Sequence, residues 1–232
     1  MSHKHDRVLI LDFGSQFTQL IARRIREECV YCEIHSPDKP LEWIEAWNPA
    51  AVILSGGPSS VYDKGVPTTD IKLLEAGIPI LGICYGFHLI AHLEGAEVEQ
   101  GKREYGRAEL RVQTADGIFE SFQQGETTTV WCSHGDHLDE PPPGYESLAG
   151  TDTLPVGAFR AVDRPIYAVQ FHPEVVHTKE GKQIIKNFIF DICKAIPNWS
   201  SENFISNTII DIQNKVQDSK VLCALSGGVD ST

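Results

Sequence analysis

Cys84 lies at the turn between an apolar run, which predicts a buried strand, and a segment whose apolar residues recur at helical spacing. Gly82 and Gly86 flank it in the G-x-C-x-G form of a nucleophile elbow. Small flanking residues are required because the turn is sharp and backbone segments pass close together. The positive end of the following helix favours a thiolate. The pattern indicates a nucleophilic thiol; the alternative is an inert cysteine in a core strand.

A thiol nucleophile needs a base, and the base needs a group that orients it. The segment FHPEV ends a predicted strand and places His172 and Glu174 two residues apart. In extended backbone such residues point to the same side, and Pro173 biases His172 towards that geometry. The carboxylate can then select the imidazole tautomer and stabilise the imidazolium. The alternative is an ordinary surface pair at the end of a strand.

Attack by a thiolate on a carbonyl develops negative charge on the oxygen, which backbone N–H groups must face. The candidates are the N–H of Tyr85, directly after the nucleophile, and that of Gly57 in SGGPSS. Glycine allows backbone to approach a ligand without a Cβ in the way. Taken alone, SGGPSS also fits an ordinary turn.

The segment SHGD follows a predicted strand and places a glycine among polar groups. We interpret it as a loop that positions substrate through Ser133, His134, Gly135 and Asp136. His134 and His137 suggest a metal site, but no third ligand occurs at a recognisable spacing. The sequence therefore predicts no metal.

The first half of the chain alternates strand and helix patterns, which is typical of a doubly wound, mostly parallel sheet with helices on both faces. Strands are predicted at 7–11, 31–35, 51–54 and 79–83, with helices at 16–28, 40–47 and 68–76. Ligands bind such sheets at the carboxyl ends of the strands, where DFGSQ, SGGPSS and Cys84 all lie.

Beyond about residue 97 the pattern becomes short alternating runs, which predict an antiparallel extension of the sheet. These runs are at 108–113, 127–132, 147–150, 156–162 and 166–171, and a helix is predicted at 179–194. Polar residues and proline then mark a domain boundary. We predict one domain over 1–196 and the start of another over 197–232, with a helix at 204–216 and a strand at 220–225.

Composition limits the classes of function. The net charge is −12, which argues against a nucleic-acid or anionic-membrane surface. No apolar stretch approaches the roughly 20 residues of a membrane span, and no signal-peptide pattern opens the chain. We expect a cytoplasmic protein whose six cysteines are free thiols.

Together, GICYG, SGGP, SHGD and FHPE resemble in order and spacing the class I (triad-type) glutamine amidotransferases, which have a flavodoxin-like fold. LDFGSQ and the terminal SGGVDST narrow the resemblance to members joined to an ATP-pyrophosphatase domain that aminates XMP to GMP. The resemblance implies that Cys84 attacks the glutamine side chain, that His172 transfers protons and that Glu174 orients His172. A glutamyl thioester forms, and the ammonia released aminates adenylylated XMP, which yields AMP and pyrophosphate.

SGGVDST resembles the phosphate-binding loop of ATP pyrophosphatases, in which glycine N–H groups and hydroxyls face phosphate. The implied ATP-binding residues are Ser226, Gly227, Gly228, Val229, Asp230, Ser231 and Thr232. The resemblance implies no cofactor for glutamine hydrolysis, and ATP with Mg for the synthetase. Because the loop needs a following helix, we expect a piece of a longer protein that does not make GMP by itself, a monomer whose parent is a homodimer.

One residue departs from the family pattern. Family members usually carry glutamine four residues after the nucleophile, where it helps to hold the substrate; here that residue is His88. Histidine still donates a hydrogen bond, but its reach and charge differ. The alternative for this residue is that His88 faces the core. The alternatives for the whole chain are a non-catalytic domain that senses glutamine, another class I amidotransferase, or a γ-glutamyl hydrolase.

Overall fold

A single mixed sheet organises the chain. The computed structural model describes residues 6–224 and 227–228. Its strands are β1 Arg7–Leu11, β2 Tyr31–His35, β3 Ala51–Leu54, β4 Ile80–Ile83, β5 Glu99–Val112, β6 Thr127–His137, β7 Tyr145–Gly150, β8 Ala158–Ala161 and β9 Ile166–Val169. Its helices are α1 Thr18–Glu27, α2 Leu41–Trp47, α3 Tyr85–Leu93, α4 Gly181–Lys186 and α5 Ser201–Val216, with 3₁₀ helices Ile71–Glu75 and Gly117–Phe119 and a π-helix Asn187–Ile192.

The sheet has a parallel half and an antiparallel half. Its strand order is β2-β1-β3-β4-β9-β8-β7-β5-β6. The first five are mutually parallel, and the remaining four continue the sheet in antiparallel pairs. Within the parallel half the order is that of a flavodoxin-like doubly wound sheet. The predicted fold class is confirmed, including its antiparallel extension.

Helices cover both faces because every central strand is apolar on both sides. Along β1, Val8 and Ile10 pack with α1 and α4 on one face, whereas Leu9 and Leu11 pack with α2 and α3 on the other. Alternate residues of a strand point to opposite faces, and all four side chains are fully buried. The near-continuous apolar run of this strand is what a doubly covered parallel strand requires.

Two predicted elements are wrong in the structure. The helix expected at 68–76 is only the 3₁₀ helix Ile71–Glu75, because Gly77 takes a φ of 71° directly after it and turns the chain towards β4. The strand expected at 220–225 is absent over 220–224, where Leu222 is 96% exposed. A strand needs a neighbour for its backbone groups, and the described residues offer none there.

Long-range pairing also extends several elements beyond their local patterns. β5 runs from Glu99 to Val112 and pairs with β6. SHGD therefore lies inside strand β6, so the prediction that it forms a loop is wrong. The helix expected at 179–194 is α4 followed by the π-helix. Across the described ranges, no helix is long and apolar enough to cross a membrane.

The second predicted domain is described only in part. Gly227 and Gly228 of the expected ATP loop lie among the described residues, whereas Ser226, Val229, Asp230, Ser231 and Thr232 lie outside them. The domain boundary near 196 and the ATP-binding role of this loop stay predictions.

Candidate active site

Cys84 occupies a strained turn between β4 and α3. Its φ of 54° and ψ of −99° lie where residues with a side chain are rarely found. A Cβ on Gly82 would lie 2.6 Å from the carbonyl oxygen of Gly86, and one on Gly86 would lie 2.4 Å from that of Leu54. No real Cβ sits so close to a backbone oxygen. Both glycines are therefore required by the close approach of the backbone, as the elbow pattern predicts.

His172 follows β9, and its backbone is held on both sides. Its N–H donates to the Trp131 carbonyl at 2.9 Å, and its carbonyl accepts from the Thr178 hydroxyl at 2.6 Å. The same hydroxyl accepts from the Trp131 N–H at 3.0 Å. Thr178 thus ties the segment after β9 to β6, so the imidazole is positioned by two strands that are far apart in sequence.

The imidazole of His172 lies between a carboxylate and the thiol. Its Nδ1 is 2.8 Å from Glu174 Oε1, and both side chains are almost fully buried. Burial alone lowers the pKa of His172, but hydrogen bonds to Cys84 and Glu174, and their charges, outweigh it and raise the pKa to about 10. The charged form of the ring is therefore favoured at neutral pH, and its Nδ1 is held by the hydrogen bond to Glu174.

Glu174 is held in place by burial and by a contact with helix α1. The side chain is fully buried, and the backbone carbonyl accepts from Arg24 Nε of helix α1 at 2.9 Å. Oε2 has no hydrogen-bond partner among the described residues, so His172 is the single polar contact of this carboxylate there. A buried carboxylate with one partner acts mainly through that partner, since any change of charge is felt at the imidazole.

The glycines of SGGP shape the space beside the thiol. A Cβ on Gly57 would lie 2.5 Å from the Phe13 carbonyl oxygen, so no larger residue fits there. A Cβ on Gly56, which the sequence analysis did not single out, would lie 3.1 Å from His172 Cε1 and 3.5 Å from Cys84 Cβ. The first glycine therefore leaves room for the imidazole and the nucleophile to meet. The presence of SGGP together with the elbow motif was the sequence signal that could have identified Gly56.

One cavity of about 920 Å³ opens onto the thiol. Apart from Glu174, which lies behind His172, every residue predicted from SGGP, GICYG, SHGD and FHPE lines it: Gly57, Cys84, Tyr85, His88, Ser133, His134, Gly135, Asp136 and His172. Gly14, Ser15 and Gln16 of DFGSQ also line it, as their place at the carboxyl end of β1 predicts. The lining further includes residues that sequence reasoning missed: Phe17 after β1, and Gln100, Gly101, Arg103 and Tyr105 of β5. The β5 residues had no sequence signal: Gln100, Gly101 and Arg103 lie at an irregularity in the β5–β6 pairing, and Tyr105 lies opposite Ser133 just beyond it.

His88 faces the cavity from helix α3 but is only 4% exposed. Burial, followed by the charge of the neighbouring His134, lowers the pKa of His88 to about 3, so the ring is neutral at pH 7. Its Nε2 has no hydrogen-bond partner among the described residues. The sequence left open whether His88 lies in the core or at the cavity wall. In the structure the ring is buried and also lines the cavity.

The SHGD segment reaches the nucleophile through its backbone. The Ser133 carbonyl oxygen is 3.6 Å from Cys84 Sγ. His134 points its ring towards Glu104 of β5, with Nε2 at 3.6 Å from Oε2. Glu104 and Cys132 bring two further metal-ligand side chains to His134, which no spacing in the sequence revealed. Burial lowers the pKa of His134, although the Asp136 carbonyl and Glu104 oppose it.

Comparisons with known proteins agree with this geometry. The family described as "Glutamine amidotransferase class-I" matches residues 9–192. The chain is 50% identical over 233 aligned residues to "GMP synthase [glutamine-hydrolyzing]" of Brachyspira hyodysenteriae, and 48% identical to the protein of the same name from Caldicellulosiruptor saccharolyticus. The alignments cover 100% and 99% of this chain but 45% of each relative, so the chain spans about half the length of the curated relatives that it matches.

Solved structures give the same result. A chain from Thermoplasma acidophilum, related by its name to GMP synthase, superposes with a TM-score of 0.70 at 30% identity, covering 88% of this chain and 98% of that one. A glutamine amidotransferase from Thermotoga maritima superposes with a TM-score of 0.60 at 22% identity, over 92% and 94% of the two chains, and supports the fold alone. By profile, identity and fold, this chain belongs to the class I glutamine amidotransferase family.

Proposed function

We propose that the chain hydrolyses the side-chain amide of glutamine to glutamate and ammonia, through a thioester on Cys84. The observation that carries this proposal is the contact of 2.8 Å between His172 Nδ1 and Glu174 Oε1, with the same imidazole and Cys84 at the strained elbow both lying against Gly56. A nucleophile, a base and an orienting carboxylate thus form one continuous chain, which is the arrangement that acyl transfer needs.

In this mechanism the Cys84 sulfur attacks the carboxamide carbon while His172 holds the proton of the thiol. The N–H groups of Gly57 and Tyr85 donate to the oxyanion that forms. When the intermediate collapses, the C–N bond breaks and His172 gives its proton to the leaving nitrogen, which departs as ammonia. Water, deprotonated by His172, then attacks the thioester and releases glutamate and the free thiol.

Substrate binding is assigned to the cavity wall opposite the triad. We propose that His88, Ser133, His134, Gly135 and Asp136 contact the bound glutamine. The neutral, buried ring of His88 offers a hydrogen-bonding nitrogen without charge, which suits a role close to that of the amide usual in the family. Its contribution is then a hydrogen bond whose strength does not change across the physiological pH range.

The ammonia is proposed to serve a synthetase part of the same protein. The curated relatives are named GMP synthase, and the chain spans about half of their length. We propose that the remaining part uses ATP and Mg to adenylylate XMP, that the ammonia converts this intermediate to GMP, and that AMP and pyrophosphate leave. A cytoplasmic location fits this biosynthetic role, and the six cysteines are free thiols.

The test is glutamate release from glutamine by the 232-residue chain, compared with Cys84→Ala and with Cys193→Ala as a matched control. We expect activity that Cys84→Ala abolishes and Cys193→Ala retains. If the chain alone is inactive, the assay is repeated on the full-length protein with ATP and XMP. Absence of Cys84-dependent hydrolysis there would refute the proposal.

A second function, glutamine sensing without catalysis, is favoured only by His88 in the place of the usual glutamine. The two are separated by treating the chain with an electrophilic glutamine analogue and locating the label by mass spectrometry. A catalytic domain is labelled at Cys84 ahead of the other five thiols. A sensing domain binds glutamine but shows no such selectivity.

A further inference from the structure

We propose that Glu104, Cys132 and His134 form a binding site for a thiophilic divalent cation such as Zn²⁺, in the strand wall of the cavity. The ligand atoms of these three side chains all lie within 4.8 Å of one another. Zinc is bound by sulfur, nitrogen and carboxylate oxygen in tetrahedral sites, and three protein ligands leave the fourth position to water. The site shares no residue with the triad, although His134 belongs both to it and to the proposed substrate-binding wall.

The β5–β6 ribbon explains why the three ligands meet. Cys132 and His134 are two residues apart on β6 and therefore point to the same face. Glu104 of β5 is the direct cross-strand partner of His134. In an antiparallel pair such residues bring their side chains close together. The three ligands thus sit on a paired, hydrogen-bonded frame, which holds them without help from a flexible loop.

The hydrogen bonds around His134 leave the correct nitrogen available. Nδ1 lies 2.9 Å from the Asp136 carbonyl oxygen, which can only accept, so Nδ1 carries the proton. A histidine that binds a metal is neutral, and with the proton on Nδ1 its Nε2 carries the lone pair. It faces Glu104 Oε2 at 3.6 Å, and neither atom has a hydrogen-bond partner among the described residues. A divalent cation between these two buried atoms would give each of them a partner.

The distance between the ligand atoms and the groups that hold the ligands both fit a zinc ion. Ligands of a tetrahedral zinc ion at the usual bond lengths stand about 3.4 Å apart, close to the nitrogen–oxygen distance here. Metal-bound histidines usually donate the other N–H to a backbone carbonyl, as His134 does to Asp136. The second oxygen of Glu104 accepts from the hydroxyls of Thr151 and Thr153. The carboxylate is therefore oriented by two donors outside the site.

The charges balance when the ion is bound. A thiolate, a carboxylate and a neutral imidazole together carry two negative charges, which a divalent cation cancels. His134 and Cys132 are 4% and 3% exposed, so a neutral assembly avoids the cost of a buried net charge. The competing explanation is a hydrogen-bonded cluster in which the Cys132 thiol donates to Glu104 and no ion binds.

Cobalt titration distinguishes the two explanations. Co²⁺ is added to the Cys84→Ser chain, because the nucleophile and His172 could themselves bind metal. We expect one equivalent to bind with a thiolate-to-cobalt charge-transfer band that Zn²⁺ removes. A second cluster of Glu99, His137 and Asp139 contains no thiol and cannot give this band. The band is therefore specific for a cysteine ligand.

Matched double variants identify that cysteine. Cys84→Ser/Cys132→Ser should lose the band and bind Co²⁺ at least about tenfold more weakly. Tenfold is the lower end of the loss seen when a residue that only supports a ligand is changed, and removal of a ligand should cost no less. Cys84→Ser/Cys193→Ser should keep both. X-ray absorption of the zinc-loaded Cys84→Ser chain needs no further variant and should show one sulfur at about 2.3 Å. A chain that binds no cobalt through thiolate, a band that survives Cys132→Ser, or a shell of nitrogen and oxygen only would overturn the site.

Discussion

Replacement of Glu174 by glutamine tests how the carboxylate acts on His172. The amide has nearly the same shape and can still offer an oxygen to Nδ1, at present 2.8 Å from Oε1. What changes is the charge. Because Glu174 is fully buried and has no other side-chain partner among the described residues, the substitution disturbs little besides the imidazole.

The size of the effect follows from the contact. A hydrogen bond to a charged group contributes about 1.5–3 kcal/mol, and one pKa unit corresponds to about 1.4 kcal/mol. The Glu174→Gln substitution should therefore lower the pKa of His172 by roughly one to two units from its value of about 10. The same energy, lost from the imidazolium in the transition state, predicts a fall of roughly 10- to 150-fold in kcat for glutamine hydrolysis.

The pKa is measured by NMR on histidine-labelled protein, with the His172 signal assigned from a His172→Gln variant. The control is Glu97→Gln, which changes an exposed carboxylate far from His172 in the sequence and should leave the titration of His172 unchanged. Kinetics of glutamine hydrolysis supply the second readout. A His172 pKa that stays near 10 in Glu174→Gln, together with unchanged kcat, would refute the argument that this carboxylate holds the imidazolium.

Two further predictions concern stability. Gly86→Ala places a Cβ 2.4 Å from the Leu54 carbonyl oxygen and should lower the free energy of unfolding by about 1–3 kcal/mol or more. The free energy is measured by urea denaturation. The control is Gly135→Ala, whose Cβ would have its nearest neighbour 3.8 Å away and should change the free energy by less than about 0.5 kcal/mol. The pKa of His172 is raised to about 10, so the stabilisation from its proton is complete below the ordinary value of about 6.5 and is lost as the pH rises towards 10. Over that range Tm should fall further for the wild type than for His172→Gln, and equal slopes would contradict it.

Much of the fold could be predicted because it depends on local pattern. The strands of the parallel half carry apolar runs, and Gly82 is required by a contact with Gly86 inside the same turn, although Gly86 itself is required by Leu54 of the neighbouring strand. The pairing of His172 with Glu174 is equally local, since two residues in extended backbone with proline between them must share a side. For such features the nearest neighbours in sequence are also the nearest neighbours in space.

Other features could not be predicted because they depend on which strands pair. The local pattern ended β6 at residue 132, whereas pairing with β5 extends it to His137 and places SHGD within the strand. The 220–225 segment has the composition of a strand, yet composition cannot supply a neighbour. His88 has helical spacing that says nothing about whether its ring reaches the core or the cavity, and in the structure it does both.

The amino-acid sequence by itself determined the elbow around Cys84, the neighbouring base and carboxylate, the doubly wound fold and the family. These features follow from residue types at short separations, where backbone geometry leaves few alternatives. Only the tertiary structure decided that the β5 irregularity completes the cavity, that Thr178 ties His172 to β6, and that Glu104 and Cys132 meet His134. The physical reason is register: cross-strand partners far apart in the chain become neighbours only after the sheet has aligned them.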